Sequence, residues 1–193
     1  MKLGIFGGTF NPVHNGHLKI AREFKDKFKL DKVLFIPNYV SPFKTDFEEI
    51  APARHRLKML ELAIAGEPAF EIDDFEIRRD RVSYTIDTVK YLKEKYPEDE
   101  LLLLIGSDQA ADFDKWKDFD KILQNVLLVI ANRKNGGKSA EISKYLKNSA
   151  FLNNELIEIS SSEIRERIRK GQAIYEFVPF DVAEYIINNL LYI

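Results

Sequence analysis

The chain has 193 residues and a mass of 22.4 kDa, which is enough for one domain with a full hydrophobic core. Hydrophobic residues make up 45% of it and charged residues 31%, which is typical of a folded protein and not of a disordered one. A net charge of −2 and a pI near 6.0 argue against a broad nucleic-acid-binding surface, and the absence of cysteine excludes disulfides, zinc–thiolate sites and thiol nucleophiles. No apolar run approaches the roughly 20 residues of a membrane span, and the opening segment is too short for a signal peptide, so a cytoplasmic protein is expected.

An apolar strand, predicted over residues 2–6, opens the chain and leads into Gly7 and Gly8. Glycines after a strand allow a tight turn that brings backbone N–H groups close to an anion. A helical pattern then begins near Asn15, which is the predicted N-cap. Because a helix start offers unpaired N–H groups and the positive end of a dipole, this segment predicts a phosphate site.

Two of the three histidines in the chain lie at this predicted helix start. His14 precedes the helix and His17 lies in its first turn, so we expect both imidazoles to face the same anion. The alternative is a glycine turn that carries two surface histidines. The clustering of two of three histidines within one turn favours the phosphate-handling interpretation.

Strand and helix patterns alternate through most of the chain. Continuous apolar runs, typical of parallel strands covered on both faces, predict further strands at 33–36, 70–72, 101–105, 126–130 and 156–159. Helical spacing predicts helices around 57–64, 84–95, 160–170 and 180–190. The charged stretch at 73–83 is predicted to be a connection. The alternation predicts a Rossmann-like α/β fold, a doubly wound parallel sheet with helices on both faces. We expect a single domain over residues 1–193, with a helical portion from about residue 160 to 193 packed on it.

Ligands in such folds bind at the carboxyl ends of the strands. Four predicted turns lie at these ends: those at Gly7, Pro37, Gly106 and Asn132–Arg133. Ser107 or Asp108 is the predicted cap of a helix that leads toward Trp116. The loop from 38 to 52 is predicted to lie over the site, and Lys44 is its one basic residue.

A second helix start carries hydroxyl groups and a guanidinium. Ser160 and Glu163 fit a capping box, with Ser161 and Ser162 between them and Arg165 two residues further on. The structural alternative is an ordinary helix start with a solvent-facing arginine. Together with the opening segment, this one predicts a second phosphate cradle.

Two other sequence features are weaker evidence for a functional site. Residues 136–139 read Gly-Gly-Lys-Ser after a strand, but a P-loop requires glycine at position 132, which is Asn132, so we interpret the segment as a loop. No strand is followed by the G-x-G-x-x-G pattern of dinucleotide-binding proteins. Trp116, the only tryptophan, is by itself typical of a packing residue.

Taken together, these segments resemble the nucleotidylyltransferase superfamily with the H-x-G-H signature, here His14-Asn15-Gly16-His17. Within it, the chain is most similar to the nicotinate-nucleotide adenylyltransferase family. The resemblance covers nearly the full length. It rests on residues 7–17, 83–88, 105–108 with Trp116, 159–165 and the weaker loop with Lys44.

The resemblance implies transfer of AMP from ATP to nicotinate mononucleotide, giving deamido-NAD and pyrophosphate, with Mg²⁺ bound through the ATP phosphates. It assigns the chemistry to His14, His17, Lys44 and Arg165. It assigns ATP binding to Gly7, Gly8, Thr9, Phe10, His17, Gly106, Asp108, Ser161, Ser162 and Arg165. It assigns nicotinate mononucleotide binding to Lys44, Tyr84, Thr85, Trp116 and Arg133.

The chain departs from the family pattern at three places. Phe43 stands where the family usually has histidine, so a phosphate contact from that imidazole is lost or replaced. Residues 133–135 read Arg-Lys-Asn where Arg-Pro-Gly is common, and Asn11 replaces a common aspartate, a change expected to be neutral.

Three alternatives stay open. One is a related enzyme with another acceptor, such as nicotinamide mononucleotide, phosphopantetheine or glycerol phosphate. Another is a non-catalytic nucleotide sensor. Separately, an apolar C-terminal helix either completes the core or forms a homo-oligomer interface, through Ile186, Ile187, Leu190, Leu191 and Ile193.

Overall fold

The computed structural model describes residues 1–40, 42, 50–132, 149–155 and 158–193. Its centre is a sheet of six strands in the order β3-β2-β1-β4-β5-β6. The strands are β1 (Lys2–Gly8), β2 (Lys32–Pro37), β3 (Phe70–Ile72), β4 (Glu100–Gly106), β5 (Leu127–Ala131) and β6 (Ala150–Phe151). All of these pairings are parallel. The Rossmann-like, doubly wound sheet is confirmed, and its strand order reverses between β1 and β4.

The helices are α1 (Asn15–Phe28), α2 (Ala53–Ile64), α3 (Phe75–Arg78), α4 (Thr85–Lys95), α5 (Ser107–Ala110), α6 (Phe119–Asn125), α7 (Ser161–Arg169) and α8 (Phe180–Asn188). A 3-10 turn, Phe113–Lys115, lies between α5 and α6. Among the described residues, no helix has both the length and the apolar character needed to cross a membrane.

Alternate residues of the central strands face two separate hydrophobic cores. Leu102 and Leu104 of β4 belong to the core that includes residues of α1, α2, α7 and α8. Leu101, Leu103 and Ile105 belong to the core that includes residues of α4, α5 and α6. Both faces of the sheet are therefore covered, which explains why the strands read as continuous apolar runs.

Two predictions about the elements were wrong. The first is the strand predicted at 156–159. Glu158 and Ile159 are not in a strand, and residues 156–157 lie outside the described chain. The sixth strand of the sheet is the two-residue β6. A short strand of this kind blunts a sheet edge. The charged stretch at 73–83, predicted as a connection, contains α3, whose first N–H, that of Phe75, donates to Asp73 Oδ1 at 3.0 Å.

The apolar residues of the C-terminal segment divide between two environments. Ile186 and Leu191 are buried in the core, where α8 packs near α2. Ile187, Leu190 and Ile193 are 48%, 73% and 82% exposed. The segment therefore completes the core with only one of its faces.

Candidate active site

The strand β1 continues through Gly7 and Gly8, so the predicted glycine turn was wrong. Neither glycine has a positive φ. Gly8 is required for close packing instead, because a Cβ there would lie 2.9 Å from Cζ of Phe10. The chain turns two residues later, at Phe10, whose φ is 49°, and the peptide bond between Asn11 and Pro12 is cis. Residues 9–14, which we call the histidine loop, carry this turn into α1.

His14, and not Asn15, is the N-cap of α1. Its backbone N–H donates to Nδ1 of His17 at 3.2 Å, and the two ring centroids lie 3.7 Å apart. Both side chains are buried. Since Nδ1 of His17 accepts this hydrogen bond, the neutral ring carries its proton on Nε2. The fold thus prepares Nε2 of His17 as a hydrogen-bond donor at the start of a helix.

The first turn of α7 contacts the histidine loop. The Ser161 hydroxyl donates to the Pro12 carbonyl oxygen at 2.9 Å, and Nη1 of Arg165 donates to the Asn11 carbonyl oxygen at 3.0 Å. Ser160 Oγ accepts the N–H of Glu163 at 3.2 Å, which confirms Ser160 as the N-cap. These bonds bring the starts of α1 and α7 together, as required if both helix starts bind the phosphates of one ligand.

Ser162 lies beside Arg165, whose Nη2 donates to the Ser162 Oγ at 3.4 Å. Nη1 of Arg165 therefore holds the histidine loop, while Nη2 contacts Ser162 in the first turn of α7. Arg165 has a positioning role within the described chain in addition to the phosphate role predicted for it.

Arg56 was missed by the sequence analysis. It is only 2% exposed, and its guanidinium donates to four backbone carbonyl oxygens: those of Thr9 and Asn38 at 2.8 Å, Ala51 at 3.1 Å and Tyr39 at 3.4 Å. It thus joins the histidine loop to the end of β2 and to the segment before α2. A signal was present, because Arg56 occupies the same helical stripe as the buried Met59, Leu60 and Ala63.

Asn11 is a second buried junction. Its Oδ1 accepts the N–H of Ala51 at 2.9 Å and the hydroxyl of Tyr192 at 2.8 Å. Burial raises the pKa of Tyr192, so its hydroxyl remains a donor throughout the usual pH range. Either asparagine or aspartate supplies such an oxygen, and the neutrality of this departure stays a prediction.

A cavity of about 260 Å³ opens beside the carboxyl ends of β1 and β4. Gly7 and Gly8 line one part of it. Tyr84, Thr85 and Trp116 line another part. The structure therefore brings three of the predicted acceptor residues and two of the predicted ATP residues to the same cavity.

The start of α4 forms one wall of this cavity. Tyr84 is the N-cap and Thr85 the first helical residue, so the unpaired N–H groups of an eleven-residue helix lie here. Trp116 follows the 3-10 turn and packs on Phe113, with ring centroids 5.0 Å apart. The Lys117 ammonium lies 4.4 Å from the centroid of the Tyr84 ring, which adds a positive charge beside the wall.

Gly106 ends β4 and is the N-cap of the four-residue α5, a position that had been predicted for Ser107 or Asp108. Its N–H donates to Oε1 of Gln109 at 3.0 Å. Asp108 lies in the first turn of α5, and Gln109 also lines the cavity. Lys44, Arg133, Phe43 and residues 136–139 lie outside the described residues.

Comparison with known proteins identifies the family. The model of the cytidylyltransferase-like family matches residues 5–167. A relative from Dictyoglomus thermophilum, named "Probable nicotinate-nucleotide adenylyltransferase", is 39% identical over 197 residues and covers 100% of both chains. One of the same name from Borreliella burgdorferi is 39% identical over 193 residues, covering 100% of this chain and 97% of its own.

A solved structure has the same fold. It is the Plasmodium falciparum nicotinic acid mononucleotide adenylyltransferase complexed with NaAD, with a TM-score of 0.83 and 21% identity, covering 99% of this chain and 97% of that one. The family model and the full-length relatives agree with the motifs and with the site. The chain belongs to the cytidylyltransferase-like family and, within it, to the nicotinate-nucleotide adenylyltransferases.

Proposed function

We propose that this protein transfers AMP from ATP to nicotinate mononucleotide, giving deamido-NAD and pyrophosphate. The observation that carries the proposal is the cavity that Gly7 and Gly8 share with Tyr84, Thr85 and Trp116. A two-substrate transfer needs one space that reaches both the nucleotide-binding strand end and a second, separately built wall. The name of the full-length relatives supports the same reaction.

The ATP phosphates lie, in this proposal, against the start of α1 and the first turn of α7. Nε2 of His17 donates to the α-phosphate. The His14 ring, whose centroid lies 3.7 Å from that of His17, supports the His17 ring. Arg165 and the Ser161–Ser162 turn face the outer phosphates. Gly7, Gly8, Thr9 and Phe10 border the nucleotide, and Gly106 and Asp108 lie near its ribose.

The bond changes require no general base. The phosphate monoester of the acceptor, with a second pKa of about 6, is already an anion at neutral pH. One of its oxygens attacks the α-phosphorus of ATP, the bond to the bridging oxygen of pyrophosphate breaks, and that oxygen keeps the electron pair. What remains for the protein is to bring two anions together and to stabilise charge on the α-phosphate and the leaving group.

We propose that Mg²⁺ enters on the ATP phosphates. The side chains described at this end of the site include the imidazole of His17, the Arg165 guanidinium and serine hydroxyls, which complement phosphate oxygens rather than a cation. A metal held by phosphate oxygens and water fits that donor set. When bound, it neutralises charge on the leaving pyrophosphate.

The wall at the start of α4 favours the acid form of the pyridine ring. A carboxylate accepts hydrogen bonds from the N–H groups near Thr85 and is attracted by the Lys117 ammonium, whereas a neutral amide brings N–H groups of its own. Trp116 supplies a flat surface for the ring, and Tyr84 borders it. Lys44 and Arg133 remain proposed contacts of the same acceptor.

Acceptor binding is testable with the only tryptophan of the chain. Because Trp116 lines the cavity, its fluorescence is expected to change on titration with nicotinate mononucleotide and much less with phosphopantetheine or glycerol phosphate. Release of pyrophosphate from ATP that requires the mononucleotide separates an enzyme from a nucleotide sensor. ATP binding without turnover in the presence of every acceptor would contradict the proposal.

A further inference from the structure

Glu76 is an ionisable residue in the wall of the cavity that the chemistry above does not use. It lies in α3, is 8% exposed and lines the cavity together with Ser83, Thr85 and Thr88. A carboxyl group in this position is unexpected, because the proposed acceptor is itself an anion and like charges repel. Its contacts explain why it is there.

The Glu76 carboxylate accepts one hydroxyl hydrogen bond and is influenced by a second hydroxyl group. The Thr88 hydroxyl, from the first turns of α4, donates to Oε1 at 2.5 Å. Ser83, just before α4, lines the same cavity, and its hydroxyl lowers the pKa of this carboxyl group. Ser83 and Thr88 lie on either side of Tyr84, the N-cap residue of α4, in the sequence.

Ser83 is also hydrogen-bonded to the segment after β2. Ser83 Oγ accepts the N–H of Tyr39 at 3.1 Å, and the N–H of Ser83 donates to the Val40 carbonyl oxygen at 2.9 Å. Val40 and Val82 form a parallel bridge. Ser83 therefore joins the segment after β2 to the start of α4, next to the carboxyl group that Thr88 contacts.

Charge pairing does not account for Glu76. In the described part of the chain its hydrogen bond comes from the Thr88 hydroxyl, while Arg79, a cation that lowers its pKa, is bonded to Asp87 at 3.0 Å. Burial raises the pKa of Glu76, so the ionised form of this carboxyl group is less favourable in the folded protein than in water. A group that lowers stability yet lies in a ligand cavity is more simply explained by function than by folding.

We propose that Glu76 is a positioning residue of the acceptor site: its carboxylate holds Ser83 and Thr88 and thereby fixes the start of α4 against the segment after β2. The role rests on the proposed function, since that wall is the one assigned to the pyridine ring. Glu76 acts through the backbone N–H groups near Thr85 and does not itself touch the acceptor.

The variant Glu76→Gln tests this role. Glutamine has nearly the same shape, but one of its two terminal atoms is an N–H donor, which cannot accept the hydroxyl of Ser83 or Thr88. We expect KM for nicotinate mononucleotide to rise about tenfold, the scale of one lost charged hydrogen bond, with kcat and KM for ATP changed less than about twofold. The melting temperature is expected to stay the same or to rise.

Asp74→Asn is the matched control, because it makes the same charge change two positions away on an exposed carboxylate that pairs with Arg78. It should leave both KM values unchanged. A second variant, Thr88→Val, removes one hydroxyl and keeps the carboxylate. It should raise KM for the mononucleotide in the same sense, and the double variant Glu76→Gln/Thr88→Val should be less impaired than the product of the two single effects.

The outcomes separate the two proposals. Wild-type protein that is inactive with nicotinate mononucleotide would overturn the proposed function and this role with it. Active wild-type protein with an unchanged KM in Glu76→Gln would overturn the role of Glu76 alone. A lower melting temperature with equal losses for both substrates would assign Glu76 to folding and would also contradict the role.

Discussion

The hydroxyl of Tyr192 donates to the side-chain oxygen of Asn11 at 2.8 Å, across 181 positions of sequence. The same oxygen accepts the N–H of Ala51, so three distant segments meet behind the histidine loop. The backbone of Tyr192 has a φ of 68°, in the left-handed region that non-glycine residues rarely adopt.

Removing that hydroxyl tests whether the C-terminal segment supports catalysis. In Tyr192→Phe, Asn11 keeps its bond from Ala51 but loses the one from the tyrosine. We expect kcat/KM to fall about three- to tenfold and the free energy of unfolding to fall by about 1 kcal/mol, the usual worth of one hydrogen bond. Steady-state kinetics and urea unfolding measure the two effects. Tyr175→Phe, which removes the hydroxyl of an exposed tyrosine bonded to Glu184, is the control and should change neither quantity.

Arg56→Met tests the buried guanidinium. Methionine fills part of the space but leaves the four carbonyl oxygens, including that of Thr9, without their donor. We expect the free energy of unfolding to fall by about 3 kcal/mol, because unsatisfied buried polar groups are costly. Arg54→Met, the matched control on the exposed side of α2, should cost less than about 0.5 kcal/mol. Equal effects of the two substitutions in urea unfolding would contradict the assignment.

The two nitrogens of His17 have separate roles that substitution distinguishes. Nδ1 accepts the N–H of His14, and Nε2 is the proposed donor to the α-phosphate. His17→Asn retains an acceptor near the position of Nδ1 but removes the donor. We expect kcat to fall by at least about a hundredfold in His17→Asn and in His17→Ala, the scale of one lost electrostatic donor, while the asparagine variant melts closer to wild type. Near wild-type turnover in either variant would exclude His17 from the chemistry.

The stability of the protein should depend on pH through Glu76. Burial raises its pKa above the ordinary value of 4.5, while Thr88, Ser83 and Arg79 act in the opposite direction and Asp87 adds to the rise. The folded state therefore binds the proton more tightly than the unfolded chain. The ionised carboxyl lowers stability at neutral pH, and this penalty is lost as the pH falls from the folded-state pKa toward 4.5.

Urea unfolding of wild type and Glu76→Gln across this pH range measures the difference. The variant cannot titrate at this position, so its advantage should be largest near neutral pH and should shrink toward pH 4.5. A difference that grows as the pH falls would mean that the carboxylate, and not its protonated form, is favoured by the fold.

Much of the fold was predictable because its signals are local. The run of residues 101–105 predicted a buried strand, and the serine at position 160 predicted a helix start, since periodicity and capping depend on neighbouring residues. The histidine pair was predictable for the same reason. The strand predicted at 156–159 failed because an apolar run does not show which segment reaches the sheet edge.

The supporting residues of the site were harder to predict because their partners are distant. Tyr192 and Asn11 have no sequence relationship that would indicate a bond. Glu76 lies in a charged stretch that resembles a solvated connection, and only the fold directs it toward Ser83 and Thr88. Arg56 was also missed, although a charge within an apolar helical stripe indicates a buried, fully bonded group.

The central claim is most directly tested by pyrophosphate release from ATP and Mg²⁺, measured with nicotinate mononucleotide, with nicotinamide mononucleotide and without an acceptor. The expected result is pyrophosphate release that requires nicotinate mononucleotide and yields deamido-NAD in equal amount. We expect kcat/KM to be at least about tenfold higher for nicotinate mononucleotide than for nicotinamide mononucleotide, the scale of one recognised charge. Pyrophosphate release that is independent of the acceptor, or no release with either mononucleotide, would contradict it.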